Sequence, residues 1–209
     1  MTLPLIIAGG VLLAASLPAA AYDVAEKSMV QIKTDLAAGR VTSLELVRLY
    51  RTRIAALNPT LHAVIALNPL AAQQAQAADA VRREGRPQGV LAGVPILIKD
   101  NIESADPMPT TAGSLALAKN MPGQDAALVA RLRASGAVLL AKTNLSEWAN
   151  IRSTPSISGW SAVGGQARVL VPMLNDEVAL VSQPLWHSYP SRNGWLSCRP
   201  AQPLKPKRT

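Results

Sequence analysis

The chain has 209 residues, which suits one domain or part of a larger one. Apolar residues make up 49% of it, so a sizeable core can form although Phe is absent. The formal charge of +8 is spread over scattered Arg residues and the last positions, and without a basic stripe of interleaved aromatics we expect no nucleic-acid partner. The lone Cys198 excludes an intramolecular disulfide and is a poor anchor for zinc, so we expect neither a metal nor a cofactor.

The first 21 residues have the features of a secretory signal peptide. Residues 3–17 are mostly apolar, Pro18 breaks the run, and Ala19–Ala21 form a small-x-small cleavage pattern. The alternative is an uncleaved membrane anchor, because the apolar run approaches spanning length and no Lys or Arg precedes it. We expect cleavage after Ala21, no stable membrane span, and a periplasmic or secreted protein.

Three helical patterns open the mature chain. Apolar residues at helical spacing predict a helix over residues 22–38. Thr42 and Glu45, at the spacing of a capping box, begin a second helix, which Asn58-Pro59 ends. A third helix is predicted over residues 68–84, with Pro at a tolerated first-turn position.

Short apolar runs predict strands over residues 61–67, 96–98 and 137–141. A helix over residues 125–135 lies between the last two runs. The order strand, helix, strand indicates a βαβ-like unit in an α/β fold.

The composition changes after about Arg168. From there onward prolines interrupt most candidate elements, and the apolar run at residues 178–181 has no amphipathic partner segment. We therefore expect the folded domain to occupy residues 22–168, and residues 169–209 to form a loosely ordered, Pro-rich basic tail.

A lysine follows the apolar run of residues 93–98, and Asp100 and Asn101 come directly after it. Burial disfavours the charged form of a lysine, so Lys99 could serve as a proton acceptor. Alternatively, Lys99 reaches solvent from the strand end and pairs with Asp100. Taken alone, the segment favours this structural interpretation.

Four blocks occur in a characteristic order, at residues 93–101, 111–114, 136–150 and 158–166. Together they resemble the amidase signature family, and especially its exported bacterial members related to peptide amidases, which remove C-terminal amides from peptides. The resemblance covers residues 22–166. It implies an α/β/α sandwich with a mixed central sheet.

The resemblance also implies a Ser–Ser–Lys triad in which Lys99 is the base. In that mechanism the neutral lysine acts through a bridging serine on the nucleophilic serine, which attacks the amide carbonyl. Backbone N–H groups of a Gly/Ser-rich loop stabilise the oxyanion. Lys142 also follows a strand, but the resemblance does not make it the base. The supporting candidates are Asp100, Asn101, Ser114, Ser161, Gly164 and Gly165, of which Ser114 is more typical of a turn or helix cap.

The sequence departs from the family pattern after Gln166, where no Gly/Ser-rich segment follows to supply the bridging and nucleophilic serines. Ser161 lies in a matched block, but the family does not use that position as nucleophile. We therefore expect a truncated or frame-shifted relative with a partial amidase domain at residues 22–168, an amide substrate by descent, and no activity of its own. The alternatives are a working amidase, and a binding module whose basic tail contacts acidic partners or a membrane surface.

Overall fold

The computed structural model describes residues 22–151, 158–172 and 178–181. Side chains are described for residues 22–151 and 158–168, and only the backbone is described for the later strands. The helices are α1 (Met29–Ala37), α2 (Ser43–Leu61), α3 (Ala71–Arg83) and α4 (Ala127–Ala134), with short 3-10 helices at Leu115–Leu117 and Glu147–Asn150. The strands are β1 (Val64–Leu67), β2 (Pro95–Lys99), β3 (Val138–Thr143), β4 (Trp160–Ser161), β5 (Gly165–Gln166), β6 (Val169–Pro172) and β7 (Val178–Val181). Among these residues no helix has the length and apolar character needed to span a membrane.

The main sheet has three strands in the order β1-β3-β2. The central strand β3 runs antiparallel to β1 and parallel to β2. In the parallel pair, Ile98 lies opposite Lys142 and Lys99 opposite Thr143. The predicted α/β class and the mixed sheet are therefore confirmed.

Helices cover both faces of this sheet. Val138 and Leu140 of β3 pack with Val47 of α2 in one buried cluster that also includes residues of α3. Leu139, on the alternate face, packs with Ile98 and with Val129 of α4. The result is the α/β/α layering that the family resemblance implies.

Helix α1 begins seven residues later than the spacing predicts, at Met29. Ser28 and Gln31 form a reciprocal capping box: the Ser28 hydroxyl accepts from the Gln31 N–H at 3.2 Å, and the Gln31 side chain accepts from the Ser28 N–H at 2.8 Å. The segment before it is held instead by Asp35, which accepts from the Tyr22 hydroxyl at 2.5 Å. The prediction of a helix from residue 22 was wrong because it missed this cap.

Helix α2 begins as predicted but ends later. The Thr42 hydroxyl accepts from the Glu45 N–H at 3.1 Å, which confirms the cap at Thr42, but among the described residues the Glu45 carboxylate does not complete the capping box by accepting from the Thr42 N–H. The helix continues through Pro59, since the missing N–H costs one hydrogen bond within the last turn. It stops at His62, which adopts a left-handed conformation with φ 51°. The Asn58 side chain then accepts from two following backbone N–H groups.

The segment after Arg168 is described in part. Strand β6 pairs antiparallel with β7, so residues 178–181 have a partner strand, which is itself apolar and not the amphipathic segment whose absence was noted in the sequence. Residues 173–177 and 182–209, and the predicted signal peptide at residues 1–21, lie outside the described residues. The predictions that concern them stay predictions.

Candidate active site

The Lys99 side chain sits at the end of β2, which is an outer strand of the described sheet. The Ile102 N–H donates to the Lys99 carbonyl at 2.9 Å and closes a four-residue turn, and the Asp100 N–H donates to the Thr143 carbonyl at 3.1 Å. Lys99 is exposed, and within the described residues its ammonium makes no hydrogen bond or ion pair. Lys99 therefore reaches solvent, as in the structural interpretation of this segment, but neither the burial of the catalytic interpretation nor the pairing with Asp100 is observed in the described part of the chain.

The next residue, Asp100, is fully buried. Its Oδ2 atom accepts from the Thr111 N–H at 3.1 Å and from the Thr111 hydroxyl, while Oδ1 is buried without a hydrogen-bond partner among the described residues. Burial raises the pKa of the Asp100 carboxyl, and the hydrogen bonds from Thr111 and the charge of Lys142 act in the opposite direction. Asp100 thus ties the Lys99 turn to the second sequence block.

The lysine that is buried is Lys142, on the central strand. Its ammonium donates to the Ile102 carbonyl and, at 2.7 Å, to the Thr110 hydroxyl. Burial lowers the pKa of Lys142, and the nearby charges of Asp100 and two further acidic residues oppose that effect. The sequence interpretation did not single out this residue for a site role, and the local sequence offers no signal that distinguishes it, because Lys99 also follows an apolar run.

Asn144 joins the third and fourth sequence blocks. Its Nδ2 atom donates to the carbonyls of His62 at 2.9 Å and Gly165 at 3.1 Å, and its Oδ1 atom accepts from the Ser161 hydroxyl at 2.7 Å. The Ser161 oxygen in turn accepts from the Gly164 N–H at 2.9 Å. Ser161 is fully buried, so its hydroxyl organises the fourth block and is not open to substrate.

The contact between the fourth block and Asn144 explains why glycine occupies positions 164 and 165. A Cβ atom at Gly164 would lie 2.5 Å from Ile65 Cγ2 and 2.6 Å from Asn144 Nδ2. Gly165 has φ +70°, a conformation that side-chain-bearing residues adopt at a cost. Both glycines therefore serve the packing of the fourth block against β1 and Asn144.

Within the described residues, no hydrogen bond connects the remaining candidates, Asn101 and Ser114, to the Lys99 side chain. Asn101 is exposed within the turn and borders an open groove of about 610 Å³ that is also lined by Leu128 and Trp148. Ser114 precedes the first 3-10 helix, but its side chain makes no capping hydrogen bond, contrary to the expected role. Ser104, which sequence reasoning did not consider, is fully buried with a hydroxyl that has no partner among the described residues.

Comparison with known proteins identifies related sequences over the same region. The family model described as Amidase matches residues 45–160. A probable amidase from Arabidopsis thaliana is 45% identical over 149 residues, which is 70% of this chain and 29% of that protein. A putative amidase from Arthroderma benhamiae is 41% identical over 140 residues, 67% of this chain and 24% of that protein.

Comparison with solved structures also identifies amidases. The peptide amidase from Stenotrophomonas maltophilia superposes with a TM-score of 0.66 at 54% identity, covering 69% of this chain and 30% of that one. An amidase family protein from Bacillus anthracis superposes with a TM-score of 0.65 at 34% identity, covering 69% of this chain and 29% of that one. The chain spans less than a third of the length of these relatives. With the family model matching more than half of its residues, the chain belongs to the amidase family.

Proposed function

We propose that this chain carries the lysine half of a Ser–Ser–Lys site for linear amides such as peptide C-terminal amides, with Lys99 as the base. The observation that carries the proposal is the setting of Lys99. Its side chain is exposed at the carboxyl end of a sheet strand, while the turn beneath it is held by buried hydrogen bonds of Asp100 and Lys142. A reacting group can reach an amine in this position, and the hydrogen-bonded turn fixes the backbone from which the lysine side chain extends.

In the proposed chemistry, the neutral amine of Lys99 accepts a proton through a bridging serine from the nucleophilic serine. That serine then attacks the amide carbonyl. The C–N bond breaks as the protonated Lys99 returns the proton, through the bridging serine, to the departing amine or ammonia, and an acyl-enzyme ester remains. Water then attacks the ester, which restores the serine hydroxyl and releases the acid. The groove beside Asn101, with its apolar Trp148 and Leu128, offers room for an apolar part of the substrate. Support for an amide substrate comes from the relatives, since the peptide amidase has been solved with the competitive inhibitor chymostatin.

We further propose that this chain does not catalyse the reaction alone. The hydroxyls of Ser161 and Ser146 are engaged with Asn144 and with the Gly159 N–H, and Ser104 is fully buried. Each of these contacts disfavours attack on a substrate. The nucleophile and the bridging serine would therefore have to come from residues other than these.

An activity assay tests the second proposal. The purified mature chain is incubated with a C-terminally amidated peptide, and the free-acid product is measured by mass spectrometry. We expect no product above the buffer control. Hydrolysis by the chain that disappears in Lys99→Ala would contradict the proposal that it is inactive, and would support the role of Lys99 at the same time.

A chimera tests the role of Lys99 itself. Residues 22–166 would replace the matching segment of the Stenotrophomonas maltophilia peptide amidase, which shares 54% identity with this chain. We expect the chimera to hydrolyse amidated peptides and Lys99→Ala to abolish turnover, because the base is removed. Lys119→Ala is the matched control, since Lys119 is also exposed. A chimera in which both variants keep full activity would refute the assignment.

We also propose that the chain is exported and cleaved after Ala21. The fold supports a mature start at Tyr22, because the Tyr22 hydroxyl bonds to Asp35 and the Lys27 ammonium lies 4.3 Å from the centre of its ring. Cleavage farther into the chain would remove this anchor. Intact-mass measurement of the protein recovered from the periplasm or the medium tests this, and a mass that retains residues 1–21 would refute it.

A further inference from the structure

We propose that Lys142 is a positioning residue, which orients the turn that bears Lys99. The proposal rests on the function proposed for Lys99, because the orientation of this turn matters for catalysis only if Lys99 is the base. Its geometric content can be tested whether or not Lys99 acts as a base.

The two hydrogen bonds of Lys142 join the two ends of the segment that follows β2. One runs to the carbonyl of Ile102, whose own N–H closes the turn onto the Lys99 carbonyl at 2.9 Å. The other runs to the hydroxyl of Thr110 at 2.7 Å, where the chain returns toward the sheet. A single ammonium therefore fixes the far end of the Lys99 turn to the returning chain.

A second connection acts in parallel. The Ala112 N–H donates to the Asp100 carbonyl at 3.2 Å, and Thr111 donates to the Asp100 carboxylate. Lys142 lies near this carboxylate, whose charge it partly balances. The returning segment is thus held to the Lys99 turn from both its main chain and its side chains.

The chemistry of β3 also argues for a specific role of Lys142. The strand is otherwise apolar from Val138 to Ala141, and each of these residues is buried. A methionine would fill the position of Lys142 without the desolvation of a charge, but it would leave the Ile102 carbonyl and the Thr110 hydroxyl without the donor that they share. A lysine at this site is therefore explained by the two acceptors that it binds.

The test compares Lys142→Met with Lys119→Met in the full mature chain. Hydrogen exchange is followed at backbone amides, and the exposed lysines are reductively ¹³C-methylated so that Lys99 reports by NMR. In Lys142→Met we expect exchange at Ile102 and Ala112 to accelerate by about tenfold or more, as expected for loss of a charged hydrogen bond. The Lys99 signal should narrow, because the turn that bears it becomes more mobile, while the amide of Leu140 stays protected. Lys119→Met should change none of these.

Unchanged exchange at Ile102 and Ala112, with an unchanged Lys99 signal in folded Lys142→Met, would overturn the proposal. So would a uniform rise that includes Leu140, since this would mean a general structural role. If Lys142→Met does not fold, Thr110→Val removes one acceptor and retains the branched shape, and it must produce the same local change, smaller in size. A failed Lys99 chimera with positive exchange data would refute the proposed function alone.

Discussion

Replacement of Ser161 by alanine tests whether this matched serine is structural. The hydroxyl is fully buried, donates to Asn144 Oδ1 at 2.7 Å and accepts from the Gly164 N–H at 2.9 Å. In Ser161→Ala the Gly164 N–H loses this acceptor. A buried donor left unpaired costs about 1–3 kcal/mol, and because Gly164 is only half-buried we expect a cost of about 1 kcal/mol. For a chain of this size, 1 kcal/mol corresponds to a fall in Tm of about 2–4 °C.

The assay is thermal and urea unfolding of the mature chain, followed by circular dichroism. Ser135→Ala is the matched control, because Ser135 is half-buried and its hydroxyl makes no hydrogen bond within the described residues. We expect this control to lie within about 0.5 kcal/mol of the parent. If Ser161→Ala has the same Tm and the same urea midpoint as Ser135→Ala, Ser161 does not anchor the fourth block.

Three further outcomes are expected. Gly164→Ala should lower the free energy of unfolding by about 1–3 kcal/mol in urea titrations, because its Cβ would lie 2.5 Å from Ile65 Cγ2; an unchanged midpoint would contradict this. Hydrogen bonds from Tyr22, Lys27 and Arg40 hold the pKa of Asp35 below its usual value, so the stability from Asp35 is present above about pH 4 and is lost as pH falls. Asp35→Asn should therefore lose less stability than the parent between pH 6 and pH 3, and equal losses would refute the assignment. We expect the mature chain to self-associate through the outer strand β2, where Leu97 is 41% exposed, so Leu97→Lys should lower its light scattering; scattering that is absent in the parent or unchanged in the variant would contradict this.

Local signals predicted the elements that are stabilised locally. The cap of α2 at Thr42 follows from a hydroxyl three residues before a carboxylate, and the strand–helix–strand order follows from alternating apolar periods. The start of α1 was missed because the Ser28 cap competes with an apolar pattern that continues upstream. The end of α2 was missed because a proline near the last turn removes only one hydrogen bond.

The connections of the candidate site depend on contacts between distant residues. Asn144 bonds to Gly165 across 21 positions and to His62 across 82, so neither partner is apparent from its neighbours in sequence. Family resemblance identified Ser161 and Gly164 as members of one block. Only the fold shows that they bind to each other and to Asn144, and that this contact buries the serine hydroxyl.

Lys99 and Lys142 show the same limit most clearly. Each follows an apolar run and precedes a short polar pair, so local sequence gives no reason to bury one and expose the other. The strand order determines which of the two lysines is buried. Strand β3 is paired on both sides and covered by helices on both faces, whereas β2 is paired on one side within the described sheet. Lys142 is consequently committed to two hydrogen bonds inside the protein, and Lys99 keeps an exposed amine at the surface. If Lys99 is the base, as we propose, its exposed amine can reach a substrate, whereas the ammonium of Lys142 is engaged in the hydrogen bonds that hold the turn.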